Sequence, residues 1–194
     1  TLQEFEWHPE GDVWVHTLMV VDEAAKIAKR ENLNEEDTKV LLYASLCHDL
    51  GKPETTEFKD GRIRSLAHEQ AGGDPTEQFL NRIAAGSDNL KLKIKTLVIN
   101  HLVPHSLYTE FVTTNQDGKK DPRGAVRRLA KRIDPATIKL LALLGEADHL
   151  GRGPYISNRK TGKLIAGEDE FVNAAIAKNK GEIEDDLSKV FQFA

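Results

Sequence analysis

Cys47-His48-Asp49-Leu50-Gly51-Lys52 is the stretch on which the rest of the chain turns. It follows an apolar run, Val40-Leu41-Leu42-Tyr43-Ala44-Ser45-Leu46, and is closed by Gly51 and Pro53. That placement predicts a helix C-terminus. Such an end can aim an adjacent imidazole and carboxylate into one cavity, while the glycine lets the backbone turn away. Nitrogen and oxygen donors together suit a borderline or hard divalent cation. Lys52 adds a compact positive charge of the kind that meets phosphate. A His-Asp pair alone also serves as an ordinary helix end, so its meaning depends on what the flanking segments bring to it.

Upstream, Asp12 is a good N-cap, and Val13, His16, Thr17, Val20, Val21, Ala24, Ile27 and Ala28 recur at three and four. This predicts one long amphipathic helix with His16 on its apolar face. A lone histidine there is more often a satisfied core residue than a ligand. Asn32-Leu33-Asn34-Glu35-Glu36-Asp37 reads as a turn and cap for a second helix, from about Glu35 to His48, with early acids matching the helix dipole.

Downstream, Phe58-Lys59-Asp60-Gly61-Arg62-Ile63 carries the Asp-Gly signal of a β-hairpin near 56–64. His68 opens a short helical turn within reach of the His48-Asp49 end. Asp74-Pro75 reads as a cap and first-turn proline for a helix through Phe79, Leu80 and Ile83. Ser87 or Asp88 caps the next helix, whose face carries Leu90, Ile94, Leu97, Val98 and His101. Residues 103–120 read as loop with a polar tip at Thr113 to Gly118. Asp121-Pro122 opens a basic helix with Arg123, Arg127, Arg128, Lys131 and Arg132. Its cations are better read as a solvated face than as a polynucleotide contact, because Val126, Leu129, Ala130 and Ile133 account for the helix. Asp134-Pro135 opens a helix that is apolar nearly all round, Ile138 to Leu144, and ends at Glu146-Ala147-Asp148. An unpaired buried carboxylate costs several kcal/mol. Asp148 therefore needs a partner, either Arg152 or a metal ion. The chain after Pro154 is polar to Gly167, with a last helix around Phe171 to Ala177 and a surface segment from Glu182 to Asp186.

The chain has 194 residues, 27 Lys+Arg against 31 Asp+Glu and a net charge of −4. One domain spanning 1–194 is expected, without the overall basic footprint of a nucleic-acid binder. The single cysteine, Cys47, rules out an internal disulfide and fits a reducing cytoplasm. No apolar run approaches the roughly 20 residues of a membrane span. The opening Thr1 to Trp7 is too acidic for a secretory signal, and a start at Thr1 rather than Met leaves a preceding segment open.

In order, the helices present His16, His48-Asp49, His68, His101 and Asp148. Bundles build metal sites from such inward polar residues. One ion would take His16, His48, Asp49 and Asp148, and a second could use Asp49 as a bridge to His68 and His101. A divalent ion lowers the pKa of bound water toward 7 and polarises a phosphoryl oxygen, while Lys52 and Arg152 can neutralise charge at phosphorus. Cys47 should face away from the doublet and pack.

The order His16, His48-Asp49, Asp148 resembles the HD superfamily of metal-dependent phosphohydrolases, and His48-Asp49-Leu50-Gly51-Lys52 matches its central signature. His8-Pro9-Glu10-Gly11-Asp12-Val13-Trp14 with His16-Thr17, then Cys47 to Lys52, His68-Glu69 with Gly72, and Glu146-Ala147-Asp148 with Gly151-Arg152 are similar to the HD domain of bacterial tRNA nucleotidyltransferases. The resemblance covers about residues 7–152 and implies an all-α HD bundle. It implies hydrolysis of 2′,3′-cyclic phosphates, 2′-nucleotides and phosphomonoesters with one or two ions of Mg, Mn, Ni, Co or Fe. His16, His48, Asp49 and Asp148 would hold metal, with Lys52, His68, His101 and Arg152 on the phosphate side. Expected partners are nucleotides or other phosphorylated small molecules, and tRNA or RNA ends. The nucleotidyltransferase head is absent, so CCA addition is not implied. The cyclic-dinucleotide branch is disfavoured, because Leu102 rather than a second histidine follows His101. A di-iron HD oxygenase and a non-catalytic module reading RNA through Arg123 to Arg132 are the competing functions.

Overall fold

The computed structural model describes residues 1–4, 7–114, 123–152, 155–157 and 164–166. Helix α1 (Val13–Arg30) starts at Asp12, whose carboxylate accepts from Trp14 N at 2.9 Å. Its buried residues, His16, Thr17, Val20, Ala24, Ile27 and Ala28, form the stripe expected from the sequence. Asn34 caps α2 (Glu35–Cys47) by accepting from Asp37 N at 2.8 Å. The chain then continues in right-handed turns through His48 and Gly51 into α3 (Lys52–Thr55). Gly51 therefore makes no sharp reversal, contrary to expectation: its φ of −81° is open to any residue. What demands glycine is proximity, since a Cβ there would stand 2.1 Å from the His68 carbonyl oxygen and 2.5 Å from Gly72 N.

Strands β1 (Thr56–Lys59) and β2 (Arg62–Ser65) form the predicted hairpin, with Phe58 opposite Ile63. Asp60 and Gly61 have φ of 53° and 77°, the paired positive values that match strand twist in a two-residue turn. Short α4 (His68–Ala71) leads into α5 (Gly73–Arg82). Gly72 rather than Asp74 is the cap of α5, so Asp74 and Pro75 lie in its first turn, where a missing proline N–H costs nothing. Ser87 caps α6 (Asp88–Val98) through Leu90 N. That helix stops at Val98, so His101 stands in the turn beyond it rather than on its face.

Helix α7 (Val103–Thr114) replaces the loop expected over 103–120, of which 115–120 lie outside the described residues. Val103 and Leu107, four apart, pack on the core, and this burial outweighs the weak helix propensity of the aromatic and β-branched residues in the segment. Helix α8 (Arg123–Arg132) is basic as expected, with Leu129 buried but Ala130 exposed; Asp121-Pro122 falls outside the described residues. Helix α9 (Ile138–Leu150) is capped by Thr137, not opened by Asp134-Pro135, which stands in the preceding turn with a cis peptide bond. Leu140 through Gly145 are buried in succession, which makes α9 the central helix. Strands β3 (Tyr155–Ser157) and β4 (Leu164–Ala166) pair antiparallel within the stretch read from sequence only as polar. The expected helix around Phe171 to Ala177 and the surface segment from Glu182 to Asp186 lie outside the described residues.

The result is an all-α bundle with a small hairpin. Helix α1 packs on α2 and α9, and α2 also meets α6. The interior is closed by Val20, Ile27, Leu41, Ile94, Leu97, Leu141 and Leu144. At Gly151 a Cβ would come within 2.5 Å of Val20 Cγ2 and 2.8 Å of Val20 Cα, so the end of α9 touches the α1 backbone. Among the described residues no helix is long and apolar enough to cross a membrane. Cys47 is fully buried, and burial pushes its thiol up to about 12. The expected result is that a thiol reagent at pH 8 leaves the native protein unlabelled and labels it fully in denaturant. Fast labelling of the native chain would contradict this burial.

Candidate metal centre

His16 comes from the start of α1, His48 and Asp49 from the end of α2, and Asp148 from the last turn of α9. These helices pack on one another, so residues 132 positions apart in the chain come within hydrogen-bond reach. His16 Nε2 lies 3.0 Å from Asp148 Oδ1, 3.3 Å from His48 Nε2 and 3.9 Å from Asp49 Oδ2. His48 Nε2 lies 3.3 Å from Asp49 Oδ2 and 3.8 Å from Asp148 Oδ1. Donors bound at about 2.0–2.2 Å to one ion stand roughly 3–3.5 Å apart, so the spacing matches a shared cation. All four side chains are buried.

Asp49 faces two ways. Its Oδ1 is 3.3 Å from His68 Nε2, and His101 completes a second group whose donor atoms all lie within 4.8 Å of one another. Among the described residues, buried Asp49 Oδ2 has no hydrogen-bond donor. Lys52 Nζ is 2.8 Å from it but off the hydrogen-bond direction, which makes that contact an ion pair. A carboxylate oxygen buried among imidazole Nε2 atoms without a donor suits a cation, so the residues present fit a divalent ion.

Three of the ligand-group histidines are oriented in one way. His48 Nδ1 donates to Ser45 O, His68 Nδ1 to Ser65 O and His101 Nδ1 to Val98 O, each at 2.7 Å. With the proton on Nδ1, each turns an Nε2 lone pair toward the cluster.

Burial alone would push the Asp49 acid up, but the charges of His48 and Lys52 hold it well below the usual carboxylate range. Asp148 is likewise held far down against burial by its His16 hydrogen bond and the Arg152 charge. Burial disfavours the His16 cation, yet its contacts with Asp148 and Glu10 raise its pKa to about 9. His101 goes the other way, lowered to about 4 by burial and the neighbouring His48. His68 is raised, because Asp49 outweighs its burial.

Lys52 is buried and donates to Gln3 Oε1. Gln3 Nε2 and Arg152 Nε are buried donors without an acceptor among the described residues. Of the two partners the sequence offered for Asp148, Arg152 or a metal ion, Arg152 acts through its charge, and the close contact is made by His16.

Sequence reasoning assigned no role to Gln3, His8 or Glu10. Residues 1–4 and 7–12 fold back on the start of α1, with Gln3 N bonded to Gly11 O, Leu2 bridging Asp12 and Gly11 at φ 72°. The fold-back seats Glu10, fully buried, with Oε1 2.9 Å from both His8 Nδ1 and His16 Nδ1. The His8 contact is a hydrogen bond, whereas the His16 N–H direction passes beside the oxygen. Burial opposes ionisation of Glu10, but both histidines bring it down to about 2; burial lowers His8 to about 4. The sequence signals for Glu10 were its place in the His8-to-Trp14 word and its position as an acid in a Pro-Gly turn just ahead of a helix histidine.

The family described as HD domain matches residues 13–152. A Multifunctional CCA protein of Actinobacillus pleuropneumoniae serotype 5b (strain L20) is 41% identical over 86 residues, 44% of this chain and 20% of its own length. One from Xylella fastidiosa (strain 9a5c) is 32% identical over 154 residues, 77% of this chain and 32% of its own length. A third, from Cupriavidus metallidurans, is 29% identical over 194 residues, 95% of this chain and 42% of its own length. The chain thus spans well under half the length of these relatives.

Proposed function

Because the chain belongs to the HD domain family, which implies the metal-dependent phosphohydrolase superfamily, we propose that His16, His48, Asp49 and Asp148 hold a divalent cation and that the protein hydrolyses phosphate esters of nucleotides or RNA ends. The observation supporting this is the set of buried imidazole and carboxylate atoms, 3.0–3.9 Å apart, drawn from α1, the end of α2 and α9. Asp49 Oδ1, His68 and His101 offer a second position beside it.

A bound divalent ion lowers the pKa of water toward neutrality and polarises a phosphoryl oxygen. The protein's own groups supply the remainder. Lys52, fixed between Asp49 and Gln3, presents positive charge at the wall of the site, and Arg152 presents a second. Both oppose the negative charge on a phosphoryl group in the transition state. Low exposure of the ligands excludes bulk water, so each charge acts in a weaker dielectric than at the surface. The resemblance of the His8-to-Trp14, Cys47-to-Lys52 and Glu146-to-Arg152 segments to the HD domain of tRNA nucleotidyltransferases implies 2′,3′-cyclic phosphates, 2′-nucleotides and phosphomonoesters as the substrates to try first.

The test is metal analysis of protein purified without chelator, joined to a screen of 2′,3′-cyclic nucleotides, 2′-nucleotides and p-nitrophenyl phosphate with and without dioxygen. We expect at least one transition-metal or Mg2+ ion per chain and phosphate release that chelation abolishes and anaerobiosis leaves unchanged. Two irons with dioxygen-dependent turnover would replace this reading with an oxygenase. Binding of RNA without any hydrolysis would replace it with a module acting through α8.

A further inference from the structure

His16 differs from the other ligand-group histidines in how its ring is held. His48, His68 and His101 stand at helix ends or in turns, where the carbonyl three residues back is free to accept their Nδ1–H. His16 lies inside the first turns of α1. The corresponding carbonyl, Val13 O, already receives the Thr17 hydroxyl at 2.8 Å. A mid-helix histidine therefore needs an acceptor from outside its helix. Among the described residues the group that reaches His16 Nδ1 is Glu10, fully buried, whose Oε1 lies 2.9 Å away in an ion-pair contact that a small turn of the ring would align.

We infer that Glu10 is a positioning residue of the metal centre: its carboxylate keeps the His16 proton on Nδ1 and so presents Nε2, the atom facing Asp49, Asp148 and His48, as the ligand. The inference rests on the proposed cation site. Three observations support it beyond the distance. Among the described residues Glu10 Oε2 is buried without a donor, so the carboxylate sits there at a desolvation cost that no surface role would require. His8 donates to the same Oε1 at 2.9 Å and meets the His16 ring edge-on with centroids 4.6 Å apart. The carboxylate is thereby locked between the two rings. The turn carrying Glu10 is itself fixed, by Gly11 N bonded to His8 O and by Val13 N bonded to Thr1 O. A carboxylate acceptor also makes an imidazole a better electron donor than a carbonyl does.

His8, Glu10 and His16 also place three donor atoms close enough for a cation of their own. That alternative would require His16 to surrender both ring protons and bridge two ions. The positioning role requires it to give up only the Nε2 proton, now shared with Asp148 Oδ1 at 3.0 Å, when a cation binds.

The experiment titrates Mn2+ into the chelator-stripped 194-residue protein by calorimetry, for wild type and Glu10→Gln, with thermal melting of both without metal. Gln keeps the shape of the side chain and removes its charge. We expect the Mn2+ Kd to rise about 10- to 100-fold, with unchanged stoichiometry and a shift in affinity larger than any change in melting accounts for. A Kd within twofold of wild type would overturn the inference. So would loss of one bound ion with the remaining affinity unchanged, which would make the triad a separate cation site. Should Glu10→Gln fail to fold, nitrogen-15 NMR of Zn2+-loaded wild type decides the matter. A proton on His16 Nδ1 with Nε2 bound supports the inference, and the reverse assignment overturns it. Failure of wild type to bind Mn2+ or Zn2+ would sink the proposed function together with this inference, whereas the other outcomes strike the inference alone.

Discussion

Replacing Asp49 with asparagine is expected to abolish divalent-cation binding and phosphate-ester hydrolysis while leaving the helical fold in place. Asp49 is the one side chain shared by both donor groups, with Oδ2 near His16 and His48 and Oδ1 near His68. Asparagine keeps the size but converts one oxygen into a donor that would confront imidazole Nε2 atoms or a cation. Metal assistance supplies several kcal/mol of transition-state stabilisation, so the rate should fall by on the order of 10²- to 10⁴-fold. The fold should survive because the interior is made by leucines, isoleucines and valines on α1, α2, α6 and α9, not by this carboxylate. Some stability will still be lost, since buried Lys52 loses its ion pair with Asp49. The measurements are metal content, initial rate on a 2′,3′-cyclic nucleotide, and far-ultraviolet circular dichroism. Turnover near the wild-type rate would remove the metal mechanism.

Gly51→Ala should destabilise the protein by about 3 kcal/mol, the upper range for forcing atoms into a packed interior. For a chain of this size that lowers Tm by roughly 10 °C. The new methyl would sit 2.1 Å from the His68 carbonyl and 2.5 Å from Gly72 N. Both are backbone atoms of the α4 region and cannot swing aside as a side-chain tip can. Relief requires moving α4 away from the end of α2, and this carries His68 away from Asp49. Gly145→Ala is the internal control, because a Cβ there meets nothing within 4 Å. Alanine exceeds glycine in helix propensity by about 1 kcal/mol, so that variant should be neutral or more stable. Thermal melts of both variants, with Mn2+ affinity for the first, check the prediction. Equal Tm values for the two would mean that α4 does not press on Gly51.

The helices that carry the site were legible because each announces itself locally. Asp12, Asn34 and Ser87 are caps whose side chains accept from the turn they precede, and the stripe of α1 repeats at helical spacing. The hairpin was legible for the same reason, in two residues that tolerate positive φ. Helix α7 was not, since its turns hold through Val103 and Leu107 against the core, a partner invisible along the chain. Capping was misjudged at Asp74 and Asp134 because Asp-Pro fits a first turn and a loop as well as a helix start.

The amino-acid order by itself determined an all-helical class, most helix boundaries near the site, and which imidazoles and carboxylates interrupt apolar faces. Those are local properties, set by propensity, capping and periodicity over a few neighbouring residues. Only the packing of α1 against α2 and α9 decided that His16 and Asp148 stand 3.0 Å apart, that Gly51 and Gly151 serve close approach, and that Glu10 reaches under His16. The physical reason is that contacts between residues distant in the chain depend on how helix faces interlock, and no short window of sequence encodes that.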